Sequence, residues 1–203
     1  MNPDLTTSEA ILDFWFGANP DDGAMPKERA KLWWSKNKEV DDEIRRRFEN
    51  HVVMAVSGEL NDWLSTPRGR LALIILTDQF PRNIYRDAAR AFSCDAQALT
   101  WCIEGLERGV DRDLRPIERV FFYFPLEHAE SLEHQELSVQ CFSELIAIVP
   151  AEQKSTFEEY LDYAIRHRQI IQRFGRFPHR NKILGRESTP EELVYLAEPG
   201  SSF

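Results

Sequence analysis

Three cysteines in 203 residues are too few, and too far apart, to build a covalent framework. Cys94, Cys102 and Cys141 show no CxxC spacing, and an odd count leaves at least one thiol unpaired, so free, buried or half-buried thiols are expected. Glycine is sparse as well, and no glycine cluster forms the phosphate-cradling loop of a P-loop or a Rossmann turn. There is no GxSxG elbow and no cysteine with the signature of a nucleophile, which counts against covalent catalysis. HExxH is missing, and so is the pair of Glu-x-x-His motifs that a bundle-type di-iron site uses; no metal and no other cofactor is expected. No apolar run reaches membrane-spanning length. Met1–Phe16 lacks the basic start and small-residue cleavage site of a signal peptide, so the expected location is cytoplasmic. A cationic excess is missing too. The net charge of −9 argues against nucleic acid and anionic membrane as partners.

What is present is a helical pattern. A hydrophobic content of 42% beside 29% charged residues is that of a globular chain, and the length fits one domain, residues 1–203, with a sizeable core. No segment sustains the alternation of a strand, so the fold class expected is all-α, about nine helices in a superhelical or bundle arrangement. Thr6-Thr7-Ser8-Glu9 reads as a capping box before a helix that Gly17 stops. Pro26 opens a helix carrying Trp33 and Trp34, both read as packing residues. Val40–Val56 is amphipathic and closed by Gly58. Ser93 or Asp95 caps a helix running to Gly109, and Pro116 opens an aromatic helix through Phe124. Pro125 is expected to interrupt it and to be followed by a long helix from about Leu126 to Val149. Glu152–Arg173 is amphipathic, and Thr189-Pro190-Glu191-Glu192 is the capping box of a short last helix.

The stretch Arg70–Arg86 stands apart. Leu71–Leu76 is apolar on every side and reads as a buried central helix. The chain then turns polar at once, through Asp78, Gln79, Arg82 and Asn83. Read as a helix C-terminus, the end of that segment disfavours the Asp78 carboxylate, so a cation is expected beside it: Arg82, or Arg176 or Arg180 from the far end of the chain. Phe80-Pro81-Arg82-Asn83 recurs as Phe177-Pro178-His179-Arg180-Asn181, and Phe124-Pro125 opens a third patch, Leu126-Glu127-His128. In each case the proline is expected to break one helix and restart the chain at an angle.

Two further features could carry chemistry. Glu130 and His134 fall on one helical stripe with Leu137, Cys141, Leu145 and Ile148, which turns a carboxylate and an imidazole toward the apolar face. Such a pair can share a proton or bind a metal, but an ion pair with the basic segment is the stronger expectation. Tyr163–Arg186 holds seven cations and no acid, which leaves the rest of the chain at −16, seven more negative than the total of −9. His167 sits there on an apolar stripe with Tyr160, Ala164 and Ile171.

Several strings are distinctive: ILDFWFG at 11–17, Trp33-Trp34, LALIILTDQFPRNIYR at 71–86 and ARAFSCDAQAL at 89–99. FYFPLEHAE at 122–130, SVQCF at 138–142 and FGRFPHRNKILGRESTPEE at 174–192 belong with them. Over nearly its whole length the chain resembles domain-of-unknown-function family 924, a mainly bacterial family. The resemblance implies a single all-helical domain of the tetratricopeptide-like superhelical kind, and it carries no activity, cofactor or catalytic residue with it.

Three readings follow. In the first, the Phe-Pro patches converge on one polar cavity that binds an anionic small molecule. Asp78, Gln79, Arg82, Asn83, Glu127, Arg176, His179, Arg180 and Asn181 would line it, and Glu130, His128 or His167 would act as acid or base if chemistry occurs. In the second, the helices present a groove to a peptide or protein partner, with Trp33, Trp34, Trp63 and Trp101 as anchors. In the third, the acidic and basic stretches neutralise each other and only fix helix register.

Overall fold

The computed structural model describes residues 7–201, and among them every regular element is helical. The α-helices are α1 (Ser8–Phe16), α2 (Met25–Trp33), α3 (Lys38–Ser57), α4, α5 (Asp95–Glu107), α6 (Pro116–His128), α7 (Leu132–Ile148), α8 (Lys154–Phe174) and α9 (Pro190–Leu196). We treat as one helix, α4, the contiguous segments Pro67–Ile74, Ile75–Gln79 and Phe80–Ile84. Its middle segment is a π-turn, in which the Phe80 N–H reaches back five residues to the Ile75 carbonyl. The cause is next in sequence: Pro81 has no N–H to donate, and the helix absorbs the missing bond by widening one turn.

Helix α4 is the centre of the molecule. It packs against α1, α3, α5 and α6, and Leu71, Ala72, Leu73, Ile74, Ile75 and Leu76 have no exposed surface. Each leucine and isoleucine here contributes roughly 1.5–3 kcal/mol on leaving water, so this segment anchors the fold. Around it lies an aromatic cluster in which Trp15 stacks on Trp33 and tilts against Phe80, and both tryptophans meet Phe121 edge to face. Gly105 on α5 lets that helix come close to α6, since a Cβ there would sit 2.5 Å from the Phe122 ring. Helices α6, α7 and α8 pack on one another.

Thr66 and Thr189 cap their helices through side-chain oxygens, and Thr189 forms the expected capping box with Glu192. Gly58 and Gly175 end α3 and α8 in the left-handed conformation, at φ 84° and 69°. All three cysteines are free and buried.

Several expectations need correction. At the N-terminus the cap is Thr7, whose hydroxyl accepts from Ala10. Thr6 lies outside the described residues, and Glu9 pairs with Arg68 instead of completing a box. The residue at the N-cap of α5 is Cys94, and neither Ser93 nor Asp95 caps that helix. Pro81 and Pro125 do not break helices: α4 continues through the first and α6 through the second to His128. The long helix expected from Leu126 is therefore two, with Glu130 in the turn between them and not on a helical stripe. The buried stripe of α7 runs through Gln135, Ser138, Cys141 and Leu145, while Ile148 is exposed. Asp78 is not at a helix terminus but inside the π-turn of a helix that goes on.

Candidate functional site

The π-turn aims Asp78 into the interior, where it is wholly buried. Burial alone would favour the protonated acid, but Arg82 and His128 outweigh it and hold the carboxyl down to about 2, so Asp78 is an anion. One oxygen meets His128 Nδ1 at 2.8 Å, and the other accepts from the Gln79 amide at 2.6 Å. Arg82 Nη1 approaches the first oxygen at 3.5 Å and donates to the Asp78 carbonyl at 2.5 Å. The same guanidinium grips Asp95, at the start of α5, through two bonds of 2.9 and 3.0 Å.

His128 is the last residue of α6, and two side chains fix that helix end. Gln135 on α7 turns its amide onto the carbonyls of Leu126, Glu127 and Ala129, at 3.3, 2.6 and 2.8 Å. Arg180 donates to the His128 carbonyl at 3.0 Å. These bonds satisfy the carbonyls that a helix C-terminus otherwise leaves open. Burial first, then the Arg82 charge, lower the His128 pKa and keep its ring neutral near pH 7.

Arg180 reaches this place from the loop after α8. Its guanidinium lies against the rings of Phe177 and Phe92, at 4.4 and 4.8 Å. Its approach to a carboxylate is a single 3.8 Å contact with Asp95, which Arg82 already holds, and its Nε is buried without a hydrogen-bond partner. Burial, followed by repulsion from Arg82, pulls its pKa down to about 10, so it stays charged. Glu130 ties the loop down: it accepts the Phe177 N–H at 2.8 Å and both arms of Arg186 at 2.6 and 2.9 Å. Between the start of α5, the end of α6, the turn into α7 and this loop runs an open cleft of about 370 Å³. Asp95, His128, Glu130, Ser131, His134 and Arg180 supply its polar walls.

Behind the cleft sits a second pair. Glu127 Oε1 is 3.3 Å from His167 Nδ1, and both residues are buried. Burial, assisted by the Asp78 charge, pushes the Glu127 carboxyl up to about 8. Burial likewise pulls His167 down to about 3. His167 Nδ1 lies 2.9 Å from the Tyr163 carbonyl, which only accepts, so that nitrogen carries the proton.

Of the residues singled out in the sequence, Asp78, Gln79, Arg82, His128, Glu130 and Arg180 come together. Glu127 and His167 lie just inside them. His179 is beside Phe177, its ring 5.6 Å away, and burial with the Arg180 charge lowers its pKa to about 4. Three residues do not join the cleft. Asn83 bonds to Asp41 on α3 at 2.9 Å. Arg176 is held by Glu192 through bonds of 2.7 and 2.8 Å, and Asn181 bonds to Ser188 and Glu192. Arg176 is therefore not the partner of Asp78; Arg82 and His128 are. Sequence reasoning missed Asp95, read as a helix cap, and Gln135, whose burial on an amphipathic helix is visible only once α6 ends above it. Among the described residues no group of His, Cys, Asp and Glu could hold a metal ion, and no helix is long and apolar enough to cross a membrane.

A comparison with curated proteins found no match. A solved structure of a protein of unknown function from Agrobacterium tumefaciens is similar, with 37% identity, a TM-score of 0.79, and coverage of 94% of this chain and 96% of that one. The family model described as bacterial protein of unknown function, DUF924, matches residues 11–200. The chain belongs to that family.

Proposed function

We propose that the cleft binds an anionic small molecule, with Arg180 as its cationic partner. The observation that carries this reading is the shortfall of acceptors around one buried guanidinium. Arg82 has two carboxylates and Arg186 has a two-pronged grip on Glu130. Arg180 has one carbonyl and a carboxylate at 3.8 Å that is already engaged. A desolvated cation without a matched anion is costly, and an incoming carboxylate or phosphate would relieve it. A purely structural network would match each charge, as happens at Arg176. The reading as a docking groove for a peptide or protein has less support, because Trp33 and Trp101 are buried and Trp34 is the one markedly exposed tryptophan.

The test is a thermal-shift panel of small anions, inorganic phosphate included, on wild type and Arg180→Ala. An anion present at 100 times its Kd stabilises the fold by about 2.7 kcal/mol. We expect a rise in melting temperature for wild type that the variant lacks. An equal rise in both would remove Arg180 from the site, and no rise from any anion would end the proposal.

A further inference from the structure

The imidazole in this cleft is fixed in one protonation pattern by a buried anion. His128 Nδ1 lies 2.8 Å from Asp78 Oδ1, and a carboxylate can only accept, so Nδ1 carries the ring's proton. Gln79 bonds the other carboxylate oxygen, which fixes the orientation of Asp78, and Arg180 pins the histidine's main chain. The remaining nitrogen, Nε2, then presents a lone pair, and it has no hydrogen-bond partner among the described residues. The ring lines the same cleft as Arg180. A structural histidine would spend both nitrogens on the fold; this one spends one.

We propose that Asp78 and His128 form a proton-acceptor dyad that selects a protonated oxyanion of the phosphate or phosphomonoester class. The proposal rests on the anion-binding reading for the presence of its ligand. Arg180 holds one oxygen of the ligand by its charge, and Nε2 accepts the hydrogen bond of the P–OH group. When the proton moves, the ligand's O–H bond breaks and the electron pair stays on that oxygen. The proton goes to Nε2, and Asp78 offsets the charge of the imidazolium that forms. The product is a dianion facing two cations. His128 is the group that touches the ligand, and Asp78 is a positioning residue. Burial sets the ring's basicity first, and the charged groups that act on it are Arg82 and Asp78 on α4 and Asp95 on α5, while Arg180 on the loop meets the residue at its main-chain carbonyl. Sulfate is the discriminating probe, since it has the shape of phosphate but no proton to give at neutral pH.

Calorimetric titration of the full chain with inorganic phosphate and with sulfate, at pH 6 and equal ionic strength, tests this. We expect phosphate to bind at least tenfold more tightly than sulfate, and Asp78→Asn to erase most of that preference. Equal affinity of the wild type for the two anions overturns the dyad and leaves the anion site standing. No binding of either overturns both. Nitrogen-15 spectra of wild-type His128 supply a measurement that needs no variant to fold. The proton must be on Nδ1, and a ring protonated on Nε2 at neutral pH overturns the dyad whatever the titrations give. An Asp78→Asn variant that folds and keeps the full phosphate preference removes Asp78 from it.

Discussion

Arg176 and Arg180 are four residues apart on one loop, yet the structure treats them in opposite ways. Arg176 faces Glu192, which offers both oxygens and is itself held by the Thr189 N–H and the Asn181 amide. The result is a closed knot that docks α9, with the charges matched one to one. Arg180 points inward, into a cluster where Asp78 and Asp95 are already committed to Arg82. Its own contacts are a carbonyl, two aromatic faces and a 3.8 Å approach to the Asp95 that Arg82 already holds. The same side chain closes the structure in one place and leaves it a charge short in the other. Identical residue types thus give a latch and a candidate site, and what separates them is the supply of acceptors within reach.

The comparison can be broken by substitution. Replacing Asp78 with Ala has the largest expected effect, because Arg82 and His128 then lose a fully buried anion. Breaking a buried pair in this way costs roughly 3–5 kcal/mol, to be read from urea unfolding. A loss below about 1 kcal/mol would mean that water already shares the cluster. Gln135→Ala should come next. It strips the Glu127 and Ala129 carbonyls of their donor and leaves Leu126 with the Ala129 N–H alone, for a cost of about 1–3 kcal/mol, with faster amide exchange confined to the turn that carries His128. Arg176→Ala and Arg180→Ala should then differ in kind. The first is expected to lower the melting temperature by freeing α9 while leaving the response to phosphate intact. The second is expected to cost less stability and to abolish that response. If the two variants behave alike, the contrast drawn between the two arginines fails.

The pH-dependent effect concerns Glu127, and its sign follows from linkage. Its carboxyl is raised from 4.5 to about 8 in the fold, so the protonated native form contributes stability that is complete below pH 4.5 and lost as pH rises through 8. Glu127→Gln keeps the neutral shape and cannot ionise. The melting temperature of wild type should therefore fall relative to this variant as pH rises from 6.5 to 8.5. His167, lowered to about 3, is neutral in the fold across this range, and the titration of its unfolded form near pH 6.5 is common to both proteins and drops out of the difference. Parallel curves would show that Glu127 ionises normally.

How much of this was legible in the residues can be judged element by element. The uniform apolar run Leu71–Leu76 declared a central helix, since a segment without a polar face has to be buried on all sides. The Thr-Pro-Glu-Glu string declared α9, because the chemistry of a capping box is local. The charge segregation announced that the basic segment would find acids elsewhere. Where the reading went wrong, the missing information was tertiary. Pro81 and Pro125 looked like breaks because an isolated helix loses a bond at proline. Here α4 and α6 are packed on several sides, and that packing outweighs one missing bond, which α4 accommodates by widening a turn. Asn83 and Asp78 are five residues apart, yet the π-turn sends one to α3 and the other to α6. Asp95 resembled any helix cap until Arg82 and Arg180 were placed beside it.

Sequence alone determined the all-helical class, the buried position of α4, the ends of most helices and the residue types able to carry charge into the core. These are fixed by periodicity, caps and composition, which act over a few residues. The tertiary structure alone decided which carboxylate each arginine would meet, that Asp78 would turn to His128, and that Arg180 would be left underpaired. Those outcomes depend on distances between residues on different elements, from 13 positions apart for Arg82 and Asp95 to 85 for Arg180 and Asp95, and such distances are set only when helices pack.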